Sequence, residues 1–500
     1  MIELSLTEIA DIVGGRLADV TADAAANTYI TGTVEFDSRR ITPGSLFLAL
    51  PGARADGHDH AAAAVDAGAV AVLAARPVGV PAIVVDPAEP ASFSRSGALE
   101  HDDEAGSGAA VLAALASLAA AVAARLVARG LRIVGVTGSS GKTSTKDLIA
   151  AVLAPLGQVV APPGSFNNEL GHPWTVLRAD EDTDFLVLEL SARHRGNIAA
   201  LAAIAPPQVA VVLNVGTAHL GEFGSRQAIA DTKAELAQAV PESGVVILNV
   251  DDSAVAAMAD KTDARVVRVS RAPADVWAGP VALDELARPR FTLHAGARGE
   301  AEIALGVSGE HQVGNALCAA AVALECGATP QQVATALASA GPASQHRMHV
   351  STRIDGVTVI DDAYNANPDS MRAALQALVW IARGEGVTER RSWAVLGEMA
   401  ELGEDAISEH DRIGRLAVRL DVSRLIVVGV GRSMGAMHHG AVMEGSWGSE
   451  ATAVDDVDAA LALLRAELEP GDVVLVKASN SAGLTALADA LTSEDRGDRG

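Results

Sequence analysis

Long apolar runs, rather than strict alternation, mark the strand-like segments of this 500-residue chain. The segments 131–136, 185–190, 209–214 and 245–250 are almost uninterrupted by polar residues. Runs of this kind read as parallel strands buried on both faces. Helical patterns at 144–153 and 226–240 separate them, and helices at 312–325 and 330–340 close the region. A further region repeats the alternation, with strands at 358–360, 393–396, 425–430 and 472–477 and helices at 369–383, 408–420 and 455–468. Ahead of both, strand-type runs at 69–74 and 81–85 predict a small α/β unit. The polar, acidic stretch 87–108 reads as a linker or exposed loop, Gly341-Pro342 as a boundary, and 493–500 as a fraying tail. The predicted fold class is α/β in three domains. These are a small N-terminal α/β domain (1–104), a central doubly wound P-loop ATPase domain (105–342) and a C-terminal Rossmann-like α/β domain (343–500).

Composition removes several function classes. A net charge of −25 argues against nucleic acid and anionic membrane surfaces as partners. The N-terminus lacks the basic and apolar regions of a secretory leader. The alanine-rich stretch 105–124 reads as a soluble helix by its weak hydropathy. Cys318 and Cys326 lie eight apart on one predicted helix and cannot pair within it. A cytoplasmic location follows as the expectation. Only five of the 38 basic residues are lysines, so Lys142, Lys146, Lys233, Lys261 and Lys477 are each candidates for a specific task.

The strongest local signal runs from Val136 through Thr137, Gly138, Ser139, Ser140, Gly141, Lys142 and Thr143 to Ser144. It follows an apolar strand and opens a helix. Backbone N–H groups in such a loop cradle phosphate oxygens, with the helix dipole behind them. Lys142 would reach the β- and γ-phosphates, and the Thr143 hydroxyl a Mg²⁺ ion. The strict phosphate-loop pattern is not met, because Val136 stands where its first glycine falls.

Other chemistry gathers at strand ends, where ligands bind in open α/β sheets. Glu189 ends one strand and is a metal candidate; His219 follows the next; Lys233 lies on a helix beyond. Asp361-Asp-Ala-Tyr-Asn-Ala-Asn-Pro368 and Gly397-Glu-Met-Ala-Glu-Leu-Gly403 each follow a strand and predict a second crevice at neighbouring strands. His438-His439 reads as an exposed loop rather than a metal site.

Together these motifs resemble the Mur ligase family over almost the whole chain. Asp37-Ser-Arg39, the phosphate loop, Phe166-Asn-Asn-Glu-Leu-Gly171, Asn214–His219, Gly309-Glu-His311 and Arg347 all carry the resemblance. The Asp361–Pro368 run is similar to the branch that adds D-alanyl-D-alanine. Ala478-Ser479-Asn480 departs from the more typical Gly-Ser-Arg. The resemblance implies ATP-dependent ligation of D-alanyl-D-alanine to a UDP-N-acetylmuramoyl-tripeptide through an acyl phosphate, by a monomer. It implies ATP and two Mg²⁺ sites, with Thr143 and Glu189 at the first and Glu189, His219 and a carbamylated Lys233 at the second. Lys142 and Arg347 would face the phosphates, Asp362 the ribose, and His311 and Asn315 the adenine. Asn167 and Asn168 would line the substrate channel, Ser38 and Arg39 would meet the uridine diphosphate, and Tyr364, Asn365 and Asn367 the dipeptide. Competing readings are a diaminopimelate-adding or folylpolyglutamate synthase-like ligase, or a P-loop switch that ligates nothing.

Overall fold

Each predicted apolar run becomes a strand in one of three sheets. The computed structural model describes residues 1–52, 55–87, 103, 106–216, 220–384, 388–445 and 450–493. The first sheet runs in the order Arg16–Ala18, Ala82–Val84, Ala69–Ala74, Ser45–Leu48 and Val34–Glu35, antiparallel only at the Arg16–Ala18 edge. A small antiparallel pair, Leu4–Ser5 with Tyr29–Ile30, stands beside it.

The central sheet has ten strands. In its parallel part, Arg132–Thr137 lies between Phe185–Glu189 and Val209–Val212. The chain leaves Arg132–Thr137 to build one side of the sheet and then crosses to build the other. Connections diverge at such a switch point and open a crevice at the carboxyl ends of the strands. Three antiparallel strands absent from the sequence reading, Ala282–Leu283, Pro289–His294 and Glu300–Ala304, extend the far edge. Exposed and buried residues alternate along them, so they lack the continuous apolar signature.

The third sheet runs His349–Thr352, Thr358–Asp361, Val473–Lys477, Ser392–Leu396, Arg424–Val428 and Ala451–Val454, with only the first pairing antiparallel. The two strands expected as neighbours are therefore not paired with each other. The last strand, Val473–Lys477, inserts between them and adds its own carboxyl end to the crevice.

Two expectations change in their physics. The helix Ser107–Val127 is strongly apolar, with a mean hydropathy of 2.2, and is long enough to cross a membrane. Weak hydropathy was the wrong reason to read it as soluble. Twelve of its residues are buried, nine of them in the core shared by the first two sheets, which makes it a core helix. Residues 88–102 of the acidic stretch, and most of the tail, lie outside the described residues. His438 and His439 stand on a helix, Arg432–Glu444, not on a loop. Glycine and histidine are weak helix formers, which hid it. Tertiary packing supplies what propensity lacks. A Cβ on Gly414 would lie 1.9 Å from the Met437 carbonyl oxygen, so this helix and Ala406–Arg419 meet backbone to backbone.

The short helix Gly171–Val176 joins the first two domains. Trp174 Nε1 donates to the Val34 carbonyl at 2.8 Å, and Phe36 meets the Trp174 ring edge-on at 5.8 Å. On the same helix His172 is fully buried, and burial lowers its pKa to about 4. A depressed histidine stabilises the fold above its unfolded value of 6.5 and loses that contribution as pH falls toward 4. His172→Leu is expected to flatten the fall in stability across that window, read as the pH dependence of the urea midpoint against the unaltered chain. Parallel curves would mean that His172 does not titrate there.

Candidate active site

The carboxyl edges of the central and C-terminal sheets enclose one cavity of about 670 Å³. The phosphate loop forms its floor. Asn214, two residues after the strand Val209–Val212, holds that loop open. Its Oδ1 accepts the N–H groups of Ser139 (3.0 Å) and Ser140 (2.9 Å), and its Nδ2 donates to the Ser140 carbonyl at 3.1 Å. Gly141 turns the chain into the helix Lys142–Leu153 at φ +80°. A Cβ there would sit 2.7 Å from Asn315 Oδ1, so both the dihedral and the space require glycine. Lys142 Nζ folds back to the Gly138 carbonyl at 2.9 Å. Burial lowers its pKa, against the attraction of Glu189. Val136, in the place of the missing glycine, is a buried strand residue.

A chain of hydrogen bonds crosses the cavity. Arg347 Nη2 donates to Ser165 Oγ at 3.0 Å, and Ser165 Oγ lies 2.7 Å from Thr143 Oγ1. Thr143 donates its single proton to Glu189 Oε2 at 3.0 Å, so Ser165 is the donor to Thr143. Asn167 Nδ2 donates to the other carboxylate oxygen at 2.7 Å, and Ser191 Oγ donates to Asn167 Oδ1 at 2.9 Å. Thr143 and Glu189 thus present hard oxygen donors side by side, the chemistry Mg²⁺ takes. Among the described residues no group of three His, Cys, Asp or Glu side chains forms a metal cluster. A cation here would complete its shell from phosphate and water. Lys233, on the helix Arg226–Gln238, is buried and does not line the cavity. Burial and the Lys142 charge push its pKa well below the ordinary lysine value. His219 lies outside the described residues.

At the other end, Lys477 Nζ donates to Asp362 Oδ2 at 2.6 Å and to the Asn365 carbonyl at 2.8 Å. Met348 N–H occupies Asp362 Oδ1 at 3.1 Å. His311 lines the same end, and burial lowers its pKa, while Asn315 lines the cavity beside Gly141. The Arg347 guanidinium lies 4.4 Å above the Tyr364 ring centre. Tyr364 and Asn365 line the cavity. Asn367 lines it too, with its Oδ1 accepting the Ser370 N–H at 2.9 Å to cap the helix Pro368–Arg383.

Besides Lys233, five expected positions fall outside the cavity wall. Asn168 Oδ1 accepts the Gly171 N–H at 2.9 Å, so its side chain shapes the turn before that helix. Ser38 and Arg39 lie in the first domain, on the turn Ser38–Arg40. Arg39 is 87% exposed and forks onto Asp37, holding that carboxylate near a pKa of about 2. Thr137 and Gly138 act from beneath the loop; the Thr137 hydroxyl donates to the Leu190 carbonyl at 3.0 Å.

Three family models match the chain. They are described as Mur ligase family, catalytic domain (residues 32–121), Mur ligase middle domain (136–323) and Mur ligase, glutamate ligase domain (346–480). A curated UDP-N-acetylmuramoyl-tripeptide–D-alanyl-D-alanine ligase of Mycobacterium tuberculosis H37Rv is 74% identical, covering 99% of both chains. The chain belongs to the Mur ligase family. Among solved Mur ligases, the MurF structure from Acinetobacter baumannii superposes with a TM-score of 0.81 at 28% identity, covering 98% of this chain and 99% of that one. The MurF ligase from Thermotoga maritima in complex with ADP gives 0.73 at 26% identity, over 93% and 98%.

The sequence of this Mur ligase assigns no site role to Ser165, Asn214, Lys477 or Arg193, and marks Glu401 only as part of the Gly397–Gly403 crevice segment; all of them line the cavity. Lys477 carried a signal in its rarity, and Asn214 in following a strand. Asn214→Ala leaves two loop N–H groups without their acceptor. We expect a loss of stability of about 1–3 kcal/mol in urea unfolding, together with weakened nucleotide binding by calorimetry. Unchanged values of both would remove Asn214 as the loop's support.

Proposed function

We propose that this chain uses ATP to join D-alanyl-D-alanine to the terminal carboxylate of a UDP-N-acetylmuramoyl-tripeptide, giving the pentapeptide, ADP and phosphate. The observation that carries this reading is the meeting of a phosphate loop and the Asp362–Asn367 turn across one cavity, in a chain 74% identical end to end to a ligase of that name. The bound ADP of the Thermotoga maritima structure supports the nucleotide.

A carboxylate is a poor electrophile, and here it must approach a polyphosphate. The N-terminus of the helix Lys142–Leu153, Lys142 and Arg347 gather positive charge for that approach. Thr143 and Glu189 would hold Mg²⁺ on the phosphates, and Glu189, His219 and a modified Lys233 a second ion near the incoming carboxylate. Bound there, Mg²⁺ supplies charge neutralisation that protein donors alone do not. The carboxylate oxygen attacks the γ-phosphorus and the bond to ADP breaks, leaving an acyl phosphate. The dipeptide amine then adds to the acyl carbon, phosphate departs, and the amine proton is lost. Facing domains exclude water that would otherwise hydrolyse the acyl phosphate. His311, Asn315 and Asp362 are assigned to the nucleoside, Asn167 and Asn168 to the substrate channel, and Ser38 and Arg39 to the uridine diphosphate end. Tyr364, Asn365 and Asn367 are assigned to the dipeptide. We divide the chain functionally at 104 and 342, and the reaction is that of a cytoplasmic precursor enzyme acting as a monomer.

Carbamylation of Lys233 fits its surroundings. Burial beside Lys142 favours the neutral amine. That amine can attack carbon dioxide, forming a C–N bond and releasing a proton, to leave an anionic carbamate suited to a hard cation.

The decisive assay is phosphate release with product mass. Release should require the UDP-tripeptide and D-alanyl-D-alanine together, with the pentapeptide as product. Turnover with folate and glutamate, or turnover indifferent to peptide, would overturn the reading in favour of the other ligase or the switch. For Lys233, ¹³C-bicarbonate should give a carbamate resonance absent from Lys233→Ala, whose ligation should fall and recover partly with a short added carboxylate. Full ligation by Lys233→Ala would sink the second metal site.

A further inference from the structure

Within the cavity, one ion pair joins the two domains through side chains unused so far. Arg193 Nη2 lies 2.9 Å from Glu401 Oε1. Both residues line the cavity, Arg193 from the central domain and Glu401 from the loop after Ser392–Leu396. Arg193 follows Ser191, whose hydroxyl belongs to the Glu189–Asn167 network. Across the cavity, Ser479 Oγ takes the Ala400 N–H and donates to the Ala366 carbonyl at 3.4 Å, so Glu401 stands beside the Asp362–Asn367 turn.

Both loops are built firmly. The backbone N–H groups of Arg193 and His194 donate to Asn197 Oδ1 at 3.1 and 2.8 Å. Glu235 takes the N–H groups of Gly196 and Ala199. Opposite, Met399 N–H is held by His410 Nε2 and Ala400 N–H by Ser479 Oγ, each at 2.9 Å. Glu401 itself is in the left-handed region at φ +64°, a conformation that costs a residue with a Cβ and that glycine would adopt freely. The side chains, in contrast, are 40% and 35% exposed, so the pair itself contributes little to stability. Firm backbones thus present two opposite, partly exposed charges to the cavity.

This inference rests on the function proposed above, in which the second substrate is a zwitterion. We propose that Arg193 and Glu401 recognise the free dipeptide, Glu401 taking its ammonium and Arg193 its carboxylate in place of one another. The amine end belongs at Glu401, whose charge also reaches Lys142 beside the phosphates. Arg193 can take the carboxylate with a two-pronged hydrogen bond. An extended dipeptide spans at most about 7 Å. The two side chains must therefore separate from contact to admit it, and they close on each other when it leaves.

The test is steady-state kinetics on the full chain, varying each substrate in turn. Arg193→Gln and Glu401→Gln should raise the KM for D-alanyl-D-alanine by about tenfold or more, one lost charged contact being worth that factor. The KM values for ATP and the UDP-tripeptide should stay within about twofold of the unaltered chain's. With a dipeptide carrying a C-terminal amide, the unaltered chain should lose the same factor and Arg193→Gln should lose nothing more. Arg193→Lys, which keeps the charge without the fork, should fall between. The reversed pair Arg193→Glu with Glu401→Arg keeps a domain latch intact, so recovery of normal dipeptide KM in that double variant would overturn the proposal. So would equal rises for all three substrates, or an unchanged dipeptide KM in Arg193→Gln. If the unaltered chain forms no pentapeptide, the functional reading itself fails; if it does and these variants behave normally, only the recognition pair fails.

Discussion

The hydrogen-bond series from Arg347 through Ser165 and Thr143 to Glu189 spans two domains with a single consistent direction of donation. Each hydroxyl in it has its proton committed, so the carboxylate at the end serves as the acceptor of the series. That sets the character of the cavity. A carboxylate held by Asn167 on one oxygen and Thr143 on the other is already oriented for a cation, and the guanidinium at the start is already aimed across the phosphate loop. Preorganisation of this sort makes charge stabilisation effective without reorganisation during the reaction.

Burying positive charge is the recurring cost of such a site, and the chain meets it differently at each lysine. Lys477 is nearly inaccessible and takes a carboxylate and a carbonyl as partners. Lys146, equally buried, pairs with Asp147 and donates to the Pro162 carbonyl. Lys142 uses a loop carbonyl and the field of Glu189. For Lys233 no carboxylate among the described residues offsets burial, and the neutral form is favoured. Lys261, paired with Asp231 near the surface, has an ordinary lysine's surroundings.

Much of the architecture was legible because buried parallel strands have to be continuously apolar. The predicted strands of the central and third regions all form, within a few residues at their ends. What escaped had a different physical basis. The antiparallel edge 282–304 alternates in burial, and the helix Arg432–Glu444 depends on packing that sequence propensity contradicts. The site divides in the same way. Gly138–Ser144 was readable because a phosphate loop is local in sequence. Ser165, Asn214, Arg193 and Glu401 are ordinary residue types whose meaning arises only when distant strands share an edge. Asn168 is a motif residue whose side chain shapes a turn, a task its motif does not announce.

Lys146 has a mechanical consequence. It stands four residues after Lys142, about 6 Å along the helix axis from the phosphate-loop end. Its ammonium reaches Ser344 Oγ at 3.5 Å, and the adjacent Asp147 takes the Ser344 N–H at 3.1 Å. Ser344 lies three residues before Arg347, on the connection into the third sheet. The first turn of the phosphate-loop helix is thus a rigid strut. One end turns out of the phosphate loop and the other is bonded to the root of the neighbouring domain, so loop and domain root are held at a fixed spacing.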